Sequence, residues 1–267
     1  MRSLREWTPK PFLLASAFPP PILSRIMMEP PAIDPGRHAL FLDFDGTLVG
    51  FVDDPAKVAI RPAARDRLEE LAEALSGALA IVSGRRIADL DRFLAPLEFA
   101  AAGVHGLERR GAPGGKIERL AGPELLDDTR ERLSETLAGN PRLRLEDKGT
   151  ALVLHYRNAA DLEDMARRAM DQAVAGRHDL VVMNGDNIVE VHPAGMDKGV
   201  ALAAIMEAPP FAGRLPVYVG DDTTDEYALK TAREAGGVSI KVGSKDSVAE
   251  YRLKDVAAVH RWLGVPD

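Results

Sequence analysis

Cysteine is absent from the 267 residues. Disulfide scaffolds, thiolate zinc sites, Fe–S clusters and cysteine nucleophiles are excluded together. The absence fits a reducing compartment, and the expected location is the cytoplasm. No apolar run approaches the ~20 residues needed to span a bilayer. The apolar patch near the start, Pro11 to Phe18, is too short for a secretory leader and runs directly into Pro19-Pro20-Pro21. Positive charge is also in deficit: 34 Lys and Arg stand against 41 Asp and Glu, a formal net charge of -7. Such a chain has no long-range attraction for nucleic acid or anionic lipid, so neither a nucleic acid nor a membrane is an expected partner. What is present is an ordinary globular composition, 46% apolar, close to the soluble average of about 45–50%. The length suits one large domain or two small ones. Residues 1–37 read as a proline-rich, unstructured extension, with Met27 or Met28 as an alternative translation start.

Regular patterning begins at Ala39. The runs Ala39–Phe44, Ala78–Val82 and Phe99–Ala102 read as buried strands. Between them lie a helix opened by Pro62, with Leu68, Leu71 and Leu75 at helical spacing, and a second after Gly84 with Ile87, Leu90, Phe93 and Leu94. Alternating strands and helices predict a parallel sheet covered on both faces. The rhythm then changes. A helix over about 124–137, strands at Arg142–Asp147 and Ala151–Tyr156, and a second helix striped by Leu162, Met165, Ala166, Ala169, Met170 and Ala173 follow in turn. Leu180–Met183 and Ile188–Val191 flank Asn184-Gly185, a strong hairpin signal. This stretch reads as αββαββ, a small antiparallel sheet with two helices. The first rhythm returns with a helix over about 198–207, a strand at Pro216–Val219, a helix over about 225–234, and Val238–Val242 as the last strand. The expected division is a core from 38–117 and 195–267, interrupted by an insert at 118–194, with linkers near 112–122 and 192–197.

Two acidic clusters carry the chemistry. In Phe41-Leu42-Asp43-Phe44-Asp45-Gly46, two carboxylates at positions i and i+2 leave the end of an apolar strand. On an extended chain they point the same way. Buried carboxylates are expensive unless something neutralises them, and in open α/β sheets ligands bind at the carboxyl ends of strands. Val219-Gly220-Asp221-Asp222-Thr223-Thr224-Asp225-Glu226 also follows an apolar strand. Its acids in part suit a helix N-terminus. Two facing acidic clusters would nonetheless repel, and a divalent cation resolves the conflict; hard oxygen ligands without cysteine indicate Mg²⁺ rather than zinc. Ser83-Gly84-Arg85 follows the second strand and could hold a phosphate oxygen, although read alone it is an ordinary helix cap. Lys198 opens a helix at the end that disfavours a cation, which suits a role against anions, although alone it also fits a solvated surface lysine.

In this order the four pieces resemble the haloacid-dehalogenase-like phosphohydrolase superfamily, with its D-x-D, Ser/Thr, Lys and G-D-x-x-x-D motifs. Further stretches are similar to trehalose-6-phosphate phosphatases: Leu48 to Pro55 with Asp54-Pro55, Gly103-Val104-His105-Gly106, Glu146-Asp147-Lys148, His155-Tyr156-Arg157 and Gly220–Glu226. The resemblance covers about 38–242 and implies an α/β Rossmann-like core with a C2-type cap inserted between the second and third motifs. It implies Asp43 as nucleophile and Asp45 as general acid, whose role needs its pKa raised by nearby negative charge. Asp43, the backbone carbonyl of Asp45, and Asp221 are implied Mg²⁺ ligands, with Asp225 behind them and Ser83 and Lys198 on the phosphoryl oxygens. Glu146, Lys148 and Glu190 are implied to bind the disaccharide, although their spacing alone also fits a solvated polar sheet face. Arg85 and His105 are weaker substrate-binding candidates, and His155 and Arg157 are expected to orient the cap sheet. The implied reaction is Mg²⁺-dependent hydrolysis of trehalose 6-phosphate, supplied by a separate synthase. A phosphatase of the sucrose-phosphate or mannosyl-phosphoglycerate type, or a catalytically dead regulatory module, are the alternatives.

Overall fold

The computed structural model describes residues 29–52, 57–185 and 187–266. The unstructured leader expected over 1–28 and the Asp54-Pro55 motif lie outside the described residues. Residues 29–37, expected to belong to that leader, instead dock on the body of the protein. Pro30 is buried, Ile33 packs against the main core, and Arg214 donates to the carbonyl oxygens of Pro35 (2.8 Å) and His38 (2.9 Å).

The large sheet has eight strands, in the order β12-β11-β10-β1-β2-β3-β4-β5. Its centre is β1 (His38–Leu42), flanked by β2 (Leu79–Val82) and β10 (Leu215–Gly220), both parallel to it. These strands are apolar and buried on both faces, as a sheet sandwiched by helices requires. Helix α1 (Pro62–Ala74), opened by Pro62, buries Ala64, Leu68 and Leu71. Helix α2 (Ile87–Leu94) buries Ile87, Leu90 and Leu94. Helices α5 (Lys198–Met206) and α6 (Asp225–Glu234) follow the insert and pack on each other. The chain order runs outward from β1 in both directions, so the carboxyl ends of β1, β2 and β10 meet where the strand order reverses. That is the ligand crevice of an open α/β sheet.

The sheet exceeds its sequence-based outline at both edges. β3 (Ala100–Gly103) continues the parallel run, but β4 (Glu108–Arg110) and β5 (Glu118–Arg119) add antiparallel strands. β5 falls inside the segment expected to be the insert, so the large sheet extends past residue 117. Val238–Val242 (β11) is not the last strand: β12 (Tyr251–Leu253) pairs parallel with it, and α7 (Val256–Leu263) covers the end. Strands of only two or three residues carry no readable period.

The second sheet, in the order β6-β7-β9-β8, is antiparallel throughout. It comprises β6 (Arg144–Asp147), β7 (Leu152–His155), β8 (Leu180–Gly185) and β9 (Ile188–Pro193). Helices α3 (Asp127–Leu137) and α4 (Glu163–Ala173) cover one face. Their apolar residues, with Leu143, Leu145, Val189 and Val191, form a core of their own, separate from the main one. The opposite face carries Glu146 and Glu190, aligned through Val153 by the register of β6, β7 and β9. Among the described residues no helix is long and apolar enough to cross a membrane.

Candidate active site

A cavity of about 440 Å³ lies between the carboxyl edge of the large sheet and the polar face of the small one. Every candidate residue from the sequence except Asp225 lines it; Asp225 lies just behind. From the core come Asp43, Asp45, Ser83, Arg85, Lys198 and Asp221; from the small sheet, Glu146, Lys148 and Glu190, with His105 between.

Asp43 follows β1, and its N–H is fixed to Val219 O of β10 at 2.9 Å. The residue is 3% exposed, and its carboxylate accepts from Lys198 Nζ at 2.8 Å. Lys198 is equally buried and also donates to Asp225 Oδ1 at 2.6 Å. Burial alone would lower the Lys198 pKa, but Asp225 and Asp43 outweigh it and hold the ammonium charged. Asp225 opens α6, yet does more than offset a helix dipole. Its Oδ1 also accepts from the Tyr218 hydroxyl at 2.6 Å, and its Oδ2 takes the N–H groups of Asp221 (3.0 Å) and Asp222 (2.9 Å).

The carboxylates of Asp43, Asp221 and Asp225 lie within 4.8 Å of one another. Since both oxygens of Asp225 are occupied, Asp43 and Asp221 are left to meet a ligand. Burial first, then Asp225, push the pKa of Asp43 well above the ordinary range, and the same causes push Asp221 up to about 7. Asp221 Oδ1 is buried without a hydrogen-bond partner. Three clustered carboxylates, only two of them bonded to the Lys198 ammonium and the third with an orphaned oxygen, form a hard-oxygen donor set that fits a divalent cation of the Mg²⁺ type. Gly46 permits this approach: at φ +78° it has no Cβ, and one would sit 2.3 Å from Asp221 Oδ2.

Asp45 differs from its sequence-based picture. The chain has already left the strand, and the expected negative neighbour is a cation. Arg85 Nε and Nη2 grip the two carboxylate oxygens at 2.6 and 2.7 Å. The guanidinium itself rests over the rings of Phe93 (5.0 Å) and Phe44 (5.7 Å). Arg85, expected on substrate, therefore holds Asp45. Ser83 does not cap α2: that helix starts at Ile87, whose N–H is taken by Glu108. Ser83 Oγ accepts instead from Arg85 N at 3.2 Å, and the side chain faces the cavity.

The small sheet reaches the core through two contacts. Lys148 Nζ donates to Gly84 O at 2.9 Å and stands 3.3 Å from Glu190 Oε2. His105 Nε2 approaches Glu190 Oε1 from the core at 3.4 Å, ion-pair range only, leaving that oxygen without a hydrogen bond. Burial would raise Glu190, but Lys148 and then His105 outweigh it and hold the carboxyl well below the ordinary range. Glu146 pairs with His155 at 2.7 Å, which keeps its pKa low. Gly84 is required here, since a Cβ would lie 2.8 Å from the His105 ring.

Sequence reasoning missed Tyr218, whose signal is a lone hydroxyl inside a buried apolar strand, and the exposed Phe51 at the cavity mouth.

An eight-stranded α/β core whose strand ends present Asp43, Ser83 and Asp221, with Lys198 at a helix N-terminus and an inserted α+β unit over them, has the fold of a solved haloacid-dehalogenase-like hydrolase from B. subtilis, which superposes with a TM-score of 0.56 at 15% identity, covering 84% of this chain and 98% of that one. Residues 41–257 match the family model described as trehalose-phosphatase. The chain is 38% identical over 228 residues to the trehalose-6-phosphate phosphatase of Escherichia coli strain K12, covering 85% of each. It is 39% identical over 212 residues to a probable trehalose-phosphate phosphatase of Sinorhizobium fredii, covering 79% of each. A solved trehalose-6-phosphate phosphatase related protein superposes with a TM-score of 0.70 at 26% identity, covering 84% of this chain and 95% of that one. The chain belongs to the trehalose-phosphatase family and is a phosphoric monoester hydrolase.

Proposed function

We propose that this chain hydrolyses trehalose 6-phosphate to trehalose and phosphate, through a phosphoryl group carried on Asp43 and with Mg²⁺ bound. The observation that carries the reading is the single cavity joining the Asp43–Lys198 pair to the polar face that presents Glu146, Lys148 and Glu190. Asp43 attacks phosphorus; the bond from phosphorus to the sugar oxygen breaks, and Asp45 delivers a proton to that oxygen. Water then attacks the aspartyl-phosphate. Asp45 takes its proton, the bond to Asp43 breaks, and phosphate leaves.

Lys198 and Ser83 hold phosphoryl oxygens, so positioning and charge neutralisation dominate the barrier. Asp43, Asp221 and the carbonyl of Asp45 would hold Mg²⁺, which supplies Lewis-acid neutralisation of phosphoryl charge when bound. Asp225 acts through Lys198 and through the backbone of Asp221. Arg85 anchors the Asp45 carboxyl for that transfer. The polar face, with a cavity volume suited to a small ligand, selects the sugar, and Arg85 and His105 border its core side. The substrate would come from a separate synthase, in the cytoplasm, as the last step of making the disaccharide.

The test is phosphate release from trehalose 6-phosphate, sucrose 6-phosphate, glucose 6-phosphate and mannosyl-phosphoglycerate at fixed Mg²⁺, beside Asp43→Asn and an EDTA control. Strong preference for the first, lost in both controls, is expected. Preference for another sugar phosphate would retain the core chemistry and discard the disaccharide assignment. A folded protein inactive on all four would support a regulatory module.

A further inference from the structure

Behind the acidic cluster lies a lysine that the proposed reaction does not use. Lys241 sits on β11 directly opposite Gly220 in the register of β10, and it is 1% exposed. Its Nζ donates to the backbone carbonyl of Asp222 at 3.1 Å and to Glu226 Oε1 at 2.8 Å. Glu226 in turn accepts from Ser247 Oγ at 3.0 Å and Val248 N at 2.9 Å. The loop carrying Asp221, between β10 and α6, is thus tied from behind to a second loop across the sheet. On its cavity side the same loop is held by Asp225, through the N–H groups of Asp221 and Asp222.

Burying an ammonium on an inner strand is costly, and an apolar residue there would satisfy β11, whose neighbours Ile240 and Val242 are core residues. What lysine adds is a donor long enough to reach the carbonyl of Asp222, the residue next to Asp221. We propose that Lys241, with Glu226, is a positioning residue: it sets the distance of Asp221 from Asp43 and so tunes the affinity for a divalent cation. This rests on the reading of Asp43 and Asp221 as cation ligands. Outer partners of metal ligands commonly affect affinity by about 10–100-fold.

The experiment measures Mg²⁺ binding by calorimetry and Mn²⁺ binding by electron paramagnetic resonance on the full chain without substrate, for Lys241→Met and Glu226→Gln. Melting temperature without metal is recorded alongside. Expected is affinity weakened about tenfold in both variants, together with a matching rise in the Mg²⁺ needed for half-maximal activity. The two substitutions change charge in opposite senses. If the cluster felt only a long-range field, Lys241→Met would tighten binding and Glu226→Gln would weaken it, and that pattern overturns the proposal. Lowered melting temperatures with unchanged affinities also overturn it, because the clamp is then structural only. If Lys241→Met does not fold, Lys241→Arg keeps the charge while moving the donors; it should weaken binding severalfold, and unchanged affinity in it overturns the proposal. Failure of the unaltered chain to bind either ion would overturn the cation reading, and the clamp with it.

Discussion

The two walls of the cavity treat charge in opposite ways. At the edge of the large sheet, Asp43 and Asp225 share the Lys198 ammonium, and Asp221 Oδ1 beside them has no hydrogen-bond partner. On the small sheet the charges are paired internally, Glu146 with His155 and Glu190 with Lys148. Each wall leaves one buried carboxylate oxygen without a hydrogen bond, Asp221 Oδ1 and Glu190 Oε1, but the first arrangement crowds three carboxylates and is held by strand ends, helix N-termini and backbone N–H groups. In the second, a ligand must displace partners the protein already has. The core wall is therefore suited to chemistry and the cap wall to selection. Changes on the former should lower kcat, and changes on the latter should mainly raise KM.

The largest effect expected is from Asp43→Asn. It preserves shape and removes the proposed nucleophile, so kcat should fall on the order of 10⁴-fold or more while the fold persists. Steady-state phosphate release together with a thermal melt checks it. Loss of less than tenfold would mean that attack does not pass through Asp43. Next, Lys148→Ala should raise KM for the disaccharide phosphate about 10–100-fold, with kcat changed far less. p-Nitrophenyl phosphate, which has no sugar to recognise, should barely register the change. Equal losses on both substrates would erase the distinction between the walls.

Arg85 tests the boundary between them, because it lines the cavity yet grips Asp45. Arg85→Ala should lower kcat about tenfold on the sugar phosphate, since an unanchored acid is poorly aligned. The loss should be smaller on p-nitrophenyl phosphate, whose leaving group needs no proton. A pure rise in KM would return Arg85 to the substrate-binding role suggested by the sequence.

How much of this was legible depended on whether a residue's role is local. The strands around β1 and the αββαββ order could be read because buried strands and amphipathic helices write their period into the chain. β4, β5 and β12 could not: they span only two or three residues, too few to show a period, and exist through pairing with the strand before them. The same divide runs through the site. Asp43, Asp45, Asp221 and Lys198 announce themselves as acids or a lysine at strand and helix ends. That Arg85 meets Asp45, 40 residues earlier, or that Lys241 reaches back to Asp222, is a fact of tertiary packing. No spacing encodes it.

The smallest effect concerns stability and is confined to the cap wall. Glu190 is 3% exposed, and Lys148 and His105 hold its folded-state pKa well below the ordinary value despite burial. A carboxyl in the unfolded chain titrates near ~4.3. Because the folded value is the lower one, the unfolded chain binds more protons as pH drops. The stabilisation is therefore complete above the unfolded pKa and is lost as pH falls toward the folded one. Glu190→Gln removes this contribution. At pH 7 the variant should be less stable by about 1–3 kcal/mol, less than the full penalty for an orphaned buried charge because the amide can still accept from Lys148. Between about pH 5 and pH 3 the two stabilities should converge, since only the unaltered protein carries the Glu190 titration. The other low-lying carboxylates, Glu146, Asp147, Asp161 and Asp179, titrate in both proteins and cancel in the difference. Urea unfolding across that range measures it. A gap that stays constant with pH would show that the Glu190–Lys148 pair contributes shape rather than charge, and the contrast between the two walls would then rest on the core alone.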